Sequence, residues 1–252
     1  MGGKSGFNNG DFAPWHRWDR QFFLLYVLAA WAAILIGFYP SVADRFEGRA
    51  DYPAPLILQM HVFAFTGWLC LLTAQILLVR SGRRNTHQLL GVAGAALIPI
   101  LVVTGIEAEY YSQRFNSPKN PENLQFLIAP LIEMLVFAIC ATMAILLRRD
   151  SSAHKRLAIL ATSMILSAGY NRGLGDIFSQ IFGSGFWGMI GNNFTGPNLL
   201  MAISMAYDMA TRHRIHRVYQ IGVPLILLAE LIASFIYHHP SWPPIAKELA
   251  GL

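Results

Sequence analysis

Apolar residues along the chain are gathered into seven long runs separated by short polar segments. The runs cover residues 20–40, 55–79, 88–107, 124–147, 155–174, 193–211 and 218–237. A helix needs about 20 mostly apolar residues to cross a hydrocarbon core of about 30 Å, and each run is close to that length. The pattern predicts an all-α integral membrane protein, a bundle of seven transmembrane helices.

Lysine and arginine residues fall mainly on one side of this predicted bundle. That side holds 13 of the 19, at the N-terminus and in residues 80–88, 148–156 and 212–217. Because basic loops tend to remain in the cytoplasm, the N-terminus is predicted to be cytoplasmic and the C-terminus outside. The predicted organisation is a cytoplasmic N-terminal segment, a seven-helix transmembrane domain and an external C-terminal tail: residues 1–19, 20–237 and 238–252.

Composition supports a membrane location and argues against nucleic-acid binding. The 252 residues are 54% hydrophobic and 13% charged, and the formal net charge is +5. The basic residues stand at the ends of apolar runs, where they determine topology. The expected partner is the lipid bilayer, together with a small-molecule ligand, a membrane complex or a second copy of the chain. For residues 175–196 the sequence allows three alternatives: a loop, a re-entrant turn or a short interfacial helix.

Ionisable residues inside the apolar runs mark a candidate site, since a charge in the bilayer centre costs roughly 2.5–3.5 kcal/mol and is seldom kept without a use. His61, Glu133 and Glu230 lie deep in the second, fourth and seventh runs. Asn171 and Arg172 reach a similar depth from the fifth run. These side chains are predicted to meet in the outer third of the bundle, with Arg172 paired to Glu133 or Glu230.

The chemistry of this site stays open between several classes. His61, Glu133 and Glu230 could supply three ligands to a transition metal if their helices are neighbours. Glu107, at the end of the third run, adds a carboxylate at a similar depth. A hydrogen-bond network that fixes helix register and binds nothing is the structural alternative.

Histidines at predicted helix starts offer a second candidate site. His87 and His154 each stand beside arginines at the cytoplasmic face. Such residues commonly anchor a helix at the headgroup layer. They could also hold a cofactor, since haem b could use His87 with His154, or His61 alone. A retinal Schiff base is excluded, because none of the lysines lies in the interior of a run.

Three short motifs stand near these basic clusters. They are Arg84 to Gly91, Ala153 to Leu157, and Tyr207-Asp208 followed by Arg212, Arg214 and His216. The motifs resemble bacterial multi-helix membrane proteins grouped with cytochrome b561-like or oxidase-assembly proteins. The resemblance implies haem or quinone redox chemistry, or assembly of a respiratory complex, in the bacterial inner membrane. The chain lacks the paired deep histidines of the b561 pattern.

The sequence therefore predicts a polytopic membrane protein with a buried cofactor or small-molecule site, related to redox chemistry through haem, a metal or a quinone. One alternative is a proton-coupled small-molecule transporter. Another is an accessory or assembly subunit of a larger membrane complex with no cofactor of its own. Whether the protein is an enzyme stays open.

Overall fold

The computed structural model describes residues 12–50, 52–119 and 123–252, and in those residues the chain forms helices and no strand. The helices are α1 (Asp19–Phe46), α2 (Leu56–Arg80), α3 (Arg84–Asn116), α4 (Asn123–Phe126), α5 (Ile128–Leu146), α6 (Ser151–Ile165), α7 (Ser167–Phe182), α8 (Phe186–Arg212), α9 (Arg217–Tyr237) and α10 (Trp242–Ala250). The all-α prediction is confirmed.

Among the described residues, five stretches are long and apolar enough to cross a membrane: α1, α2, α3, Leu124–Leu146 and α9. The other two predicted spans, 155–174 and 193–211, coincide with α6 and α7 and with α8. α6 and α7 are short, with 15 and 16 residues, and α8 is rich in Gly and Asn in its first half. The count of seven spans and the direction of the termini stay predictions.

Burial explains why α6 is less apolar than the outer helices. Only 17% of the most apolar part of α2 is buried, whereas most of α6 is buried against α5, α8 and α9. A helix enclosed by protein can carry polar groups that are bonded within the bundle. Trp68 Nε1 donates to Thr162 Oγ1 at 3.1 Å, and the Tyr26 hydroxyl donates to the Ile159 carbonyl at 3.0 Å.

A tight turn separates α6 from α7 at Leu166. The Leu166 N–H donates to the Ser163 carbonyl at 3.2 Å, and the Gly169 N–H donates to the Leu166 carbonyl at 3.0 Å. Both bonds span three residues, as in a 3₁₀-helix, and such irregularities within a helix often mark a functional hinge. Ser167, the first residue of α7, directly follows the turn.

Residues 175–196 form the end of α7, a turn and the start of α8. Gly183 and Gly185 have φ angles of +65° and +88°, which glycine adopts without steric cost. Asn192 Nδ2 donates to the Gly183 carbonyl at 3.1 Å and holds the turn against α8. The helices that cover the fifth and sixth apolar runs therefore extend beyond those runs, α7 to Phe182 and α8 back to Phe186.

The C-terminal residues return to the bundle. α10 packs against α3 and α4. Trp242 Nε1 donates to the Gln125 carbonyl at 3.0 Å, and Arg114 donates to the Ala250 carbonyl. The predicted tail is therefore largely helical. We call the end of the bundle at which α1 begins the Asp19 end, and the end at which α9 finishes the Tyr237 end.

Candidate functional site

Deep polar residues from six helices surround Glu133 of α5. We call this group the Glu133 site: His61, Glu109, Gln113, Glu133, Ser167, Asn171, Arg172, Asn198 and Glu230. Glu133 is 7% exposed and interacts electrostatically with Glu109, Arg172 and Glu230. The structure thus places Glu109, Arg172 and Glu230 within electrostatic range of Glu133.

The His61 ring fills a gap left by Gly105 of α3. His61 Cε1 lies 3.3 Å, and Met134 Sδ 2.7 Å, from the point that a Cβ on Gly105 would occupy. Any side chain at position 105 would displace both groups. His61 Nδ1 is buried and has no hydrogen-bond partner within residues 12–50, 52–119 and 123–252. His61 is therefore fixed by packing, with one ring nitrogen left for another interaction.

Glu133 lies beside the turn that separates α6 from α7. Its carboxyl group interacts with the Ser167 hydroxyl, although the two groups do not meet in hydrogen-bond geometry. Ser167 is 1% exposed and its Oγ has no other partner. A buried hydroxyl and a buried carboxyl group thus stand together at the irregular point of the helix.

Arg172 does not form the predicted ion pair with Glu133 or Glu230. Its guanidinium lies 4.5 Å from the centre of the Phe38 ring on α1, and Nη1 donates to the Ala168 carbonyl at 3.3 Å. The attraction of a cation to an aromatic face holds it there. Arg172 still interacts electrostatically with Glu133, at a distance longer than direct contact.

Two asparagines of α8 form hydrogen bonds with predicted site residues, Glu230 and Asn171. Asn198 Nδ2 donates to Glu230 Oε2 at 2.9 Å, and Asn171 Nδ2 donates to Asn193 Oδ1 at 3.0 Å. Glu230 is 1% exposed. Three further oxygens of these groups, Glu230 Oε1, Asn198 Oδ1 and Asn171 Oδ1, are buried without a partner.

The choice of Glu107 as the carboxylate of α3 was wrong. Glu107 is exposed, whereas Glu109 accepts a hydrogen bond from Gln113 Nε2 at 2.7 Å and interacts with Arg172. Two residues along a helix are about 200° apart, so the two side chains leave on nearly opposite sides. Glu109 and Gln113 are four residues apart, a spacing that places both on one face of a helix and could have indicated this pair from the sequence.

The Glu133 site does not form the predicted metal centre. Among the described residues, no group of three or more His, Cys, Asp or Glu side chains is arranged to hold a metal ion. His61 packs against Gly105 of α3, whereas Glu230 is bonded to Asn198 of α8. The three residues proposed as ligands therefore do not converge on one point.

Comparisons with family models, with curated proteins and with solved structures find no match. The resemblance to cytochrome b561-like and oxidase-assembly proteins therefore stays a prediction. An all-helical fold does not specify an activity, so function has to be argued from the chemistry of the site.

A second polar group, which sequence reasoning did not find, closes the Asp19 end. We call it the Asp19–Asp208 network: Asp19, Lys155, Arg156, Asp208, Arg212 and His216. Arg212 Nη2 lies 2.8 Å from both Asp19 oxygens, and Lys155 Nζ lies 2.7 Å from Asp19 Oδ2. Arg156 Nε donates to Asp208 Oδ2 at 2.7 Å. These ion pairs join α1, α6 and α8.

Residues 12–14 cover the network. The Phe12 ring lies 4.6 Å from the Arg156 guanidinium and 5.3 Å from that of Arg212. The carbonyls of the next two residues accept from Arg212 Nε at 2.9 Å and from Lys155 Nζ at 2.8 Å. These contacts satisfy charges that would otherwise be buried without partners.

His216 belongs to the network as a helix cap. Its Nδ1 accepts from the Val218 N–H at 3.1 Å, which requires that nitrogen to carry no proton. Burial and the nearby Arg156 guanidinium lower the pKa of His216 to about 4. The ring is therefore neutral near pH 7, and the cap is maintained.

His87 and His154 also lie together at the Asp19 end. Their ring centroids are 6.3 Å apart. They form a pair separate from His61, which packs against α3 deeper in the bundle. Of the residues proposed for a cofactor, these two histidines thus stand outside the Glu133 site.

Proposed function

We propose that this chain is a seven-span membrane protein that binds a small polar molecule, rich in hydrogen-bond donors, at the Glu133 site. The observation that carries the proposal is a set of buried atoms without hydrogen-bond partners among the described residues: His61 Nδ1, Gln113 Oε1, Ser167 Oγ, Asn171 Oδ1, Asn198 Oδ1 and Glu230 Oε1. Each such atom costs about 1–3 kcal/mol, and native proteins keep few of them.

The chemistry of these atoms indicates the class of ligand. The carboxamide and carboxylate oxygens among them accept hydrogen bonds, and the Ser167 hydroxyl can do either. A molecule that satisfies them must supply donors, as an amine or a polyol does. Glu109, Glu133 and Glu230 add three carboxyl groups to this set of acceptors. A carboxylate ligand would bring further acceptors instead of donors, so the site favours an amine or a polyol over an acid.

A cleft at the Tyr237 end lies next to the site. It has a volume of about 500 Å³, and Ser179, Asn192, Asn193 and Tyr237 are among the residues that line it. Asn193 is also the partner of Asn171, so the cleft adjoins the Glu133 site. Its size and polar side chains suit a small polar molecule.

The test is thermal unfolding of the full-length protein in lipid nanodiscs with a panel of small compounds. The panel holds amines and polyols, such as ethanolamine and glycerol, and acids of matched size, such as glycolate. We expect at least one amine or polyol to raise the melting temperature and the acids to leave it unchanged. A ligand at 100 times its Kd adds about 2.7 kcal/mol to the free energy of unfolding.

Variants connect that shift to the site. Glu133→Gln replaces the carboxyl group by a carboxamide of nearly the same shape, and is expected to abolish the ligand-induced shift. Glu47→Gln is the control, because the Glu47 side chain is 55% exposed and lies outside the site. The proposal is contradicted if no donor compound shifts the transition, or if Glu133→Gln responds like the wild type.

Proton-coupled transport is the second candidate, favoured by the turn at Leu166. In many carriers, interrupted helices form the substrate site within the membrane. Here the turn lies beside Ser167 and Glu133. Redox chemistry and a role as an accessory subunit stay predictions from the sequence.

Uptake into proteoliposomes tests this second candidate. The compound that shifts the melting temperature is supplied outside, with and without an imposed pH gradient. We expect uptake to be faster with the gradient than without it, protein-free vesicles to show no such difference, and Glu133→Gln to lose the acceleration. Equal uptake with and without the gradient would exclude proton coupling while leaving ligand binding intact.

A further inference from the structure

Two histidines at the Asp19 end stand apart from the Glu133 site. His87 lies in the first turn of α3 and His154 in the first turn of α6. Their ring centroids are 6.3 Å apart, and the ring planes are at 87° to each other. The two helices thus direct a pair of imidazoles towards one region of the bundle.

The His154 ring is held in one tautomer. Its Nδ1 lies 2.7 Å from the Ala144 carbonyl oxygen. A carbonyl oxygen can only accept, so Nδ1 carries the proton and Nε2 keeps its lone pair. Histidines that bind metals are oriented in the same way, by donating the other ring N–H to a carbonyl or carboxylate.

Two buried atoms in this region, His87 Nδ1 and Gln75 Oε1, have no hydrogen-bond partner among the residues that the structure describes. Gln75 lies on α2 and reaches α3, where its Nε2 is 3.6 Å from the Cβ position of Gly91, one turn beyond His87. The His87 ring also interacts with the main chain of Gln75. The Gln75 carboxamide therefore lies against α3, on the stretch of α2 that contacts the His87 ring.

The separation of the rings is compatible with a shared ion. With a metal–nitrogen distance of about 2.0–2.1 Å, a ring centroid lies about 3.2 Å from the metal, so two ligating rings are at most about 6.4 Å apart. The observed 6.3 Å falls just inside that limit. At this separation the two nitrogens stand nearly opposite each other across the ion, and a tetrahedral site would require the rings to approach by about 1 Å.

We propose that His87 and His154 bind one divalent transition-metal ion, with Gln75 Oε1 as an additional ligand and water in the remaining positions. Neutral imidazoles suit zinc, copper and nickel ions, and an amide oxygen is compatible with each of them. The ion would join α2, α3 and α6 at the Asp19 end. This site is independent of ligand binding at the Glu133 site.

The experiment is a zinc titration of the full-length protein, purified without a histidine tag and held in lipid nanodiscs, in competition with a chromogenic chelator. We expect one zinc ion per chain. Loss of an outer-shell partner alone weakens metal sites by about 10–100-fold, so His87→Ala and His154→Ala should each weaken binding at least tenfold. Gln75→Leu should weaken it less.

A matched control uses another histidine of the same end. His213 is exposed and has a φ of +54°, a conformation that Asn also adopts, so His213→Asn should fold normally and bind zinc like the wild type. His87→Gln replaces His87→Ala if the latter fails to fold. The proposal is overturned if no zinc binds, if the histidine variants bind it unchanged, or if the purified protein shows the Soret band of haem.

Discussion

Asp208→Ala is expected to lower the free energy of unfolding by about 3–5 kcal/mol, because it removes one partner of a buried ion pair and leaves the other charge uncompensated. The side chains of Arg156 and Asp208 are 2% and 1% exposed. Without Asp208, Arg156 keeps its bonds to Ser152, at 2.9 Å to the carbonyl and 2.8 Å to Oγ, and its contact with the Phe12 ring, but no carboxylate faces it. Denaturant unfolding of the purified protein, followed by circular dichroism, measures the loss.

An exposed ion pair of the same chain provides the control. Arg49 Nη2 and Asp44 Oδ1 are 2.7 Å apart, but the two side chains are 58% and 47% exposed. Asp44→Ala should therefore cost less than about 1 kcal/mol. Asp208→Asn keeps the shape and removes the charge, and should be nearly as destabilising as Asp208→Ala. Similar losses for Asp44→Ala and Asp208→Ala would show that burial is not what makes the Arg156–Asp208 pair matter.

The outer helices could be predicted closely because lipid imposes a uniform requirement on them. The run 55–79 became α2, Leu56–Arg80, and the run 218–237 became α9, Arg217–Tyr237. α3 continues to Asn116, beyond its apolar run, because polar residues that leave the hydrocarbon can still extend a helix. Hydropathy therefore located these helices but could not place all of their ends.

The enclosed helices could not be predicted with the same accuracy. α6 contacts protein on most of its surface. Its residues are therefore constrained by packing against neighbouring helices and not by contact with lipid. No Pro or Gly stands at the turn or directly beside it, since Leu166 lies between Ile165 and Ser167. The sequence therefore does not mark the turn. Apolar length alone merged α6 and α7 into one predicted span.

The candidate site was predictable by residue type and depth, but not by pairing. The cost of a charge in hydrocarbon singled out Glu133 and Glu230, and both are buried. The rotation of each helix decides which side chains meet, and the sequence did not determine it. Arg172 consequently faces Phe38 in the structure, and not a carboxylate.

The Asp19–Asp208 network was missed for a different reason. Each of its charges stands near the end of a helix, where Lys and Arg commonly anchor the chain at the headgroup layer. Arg212 and Asp19 are 193 residues apart, so nothing local indicates that they form a pair. Asp19 and Asp208 stand among basic residues, and this was the feature of the sequence that could have indicated ion pairs there.

Gly37→Ala is expected to destabilise the protein by about 3 kcal/mol, at the upper end of the usual cost of overpacking. A Cβ on Gly37 of α1 would lie 2.2 Å from the Gly169 carbonyl oxygen of α7, and that main-chain atom cannot rotate away. The two helices must separate to admit the methyl group. Gly175→Ala is the matched control on α7, since nothing lies within 4 Å of its added Cβ. It should stabilise the helix by up to about 1 kcal/mol, as Ala replaces Gly.

The same substitution tests how packing positions the Glu133 site. Arg172 lies three residues beyond Gly169 and is held 4.5 Å from Phe38, the neighbour of Gly37. Separation of α1 from α7 would move the guanidinium relative to Glu133. Gly37→Ala should therefore reduce the ligand-induced rise in melting temperature as well as the free energy of unfolding, whereas Gly175→Ala should leave the rise unchanged. A Gly37→Ala variant that is as stable as the wild type would show that the α1 and α7 backbones are not in contact there.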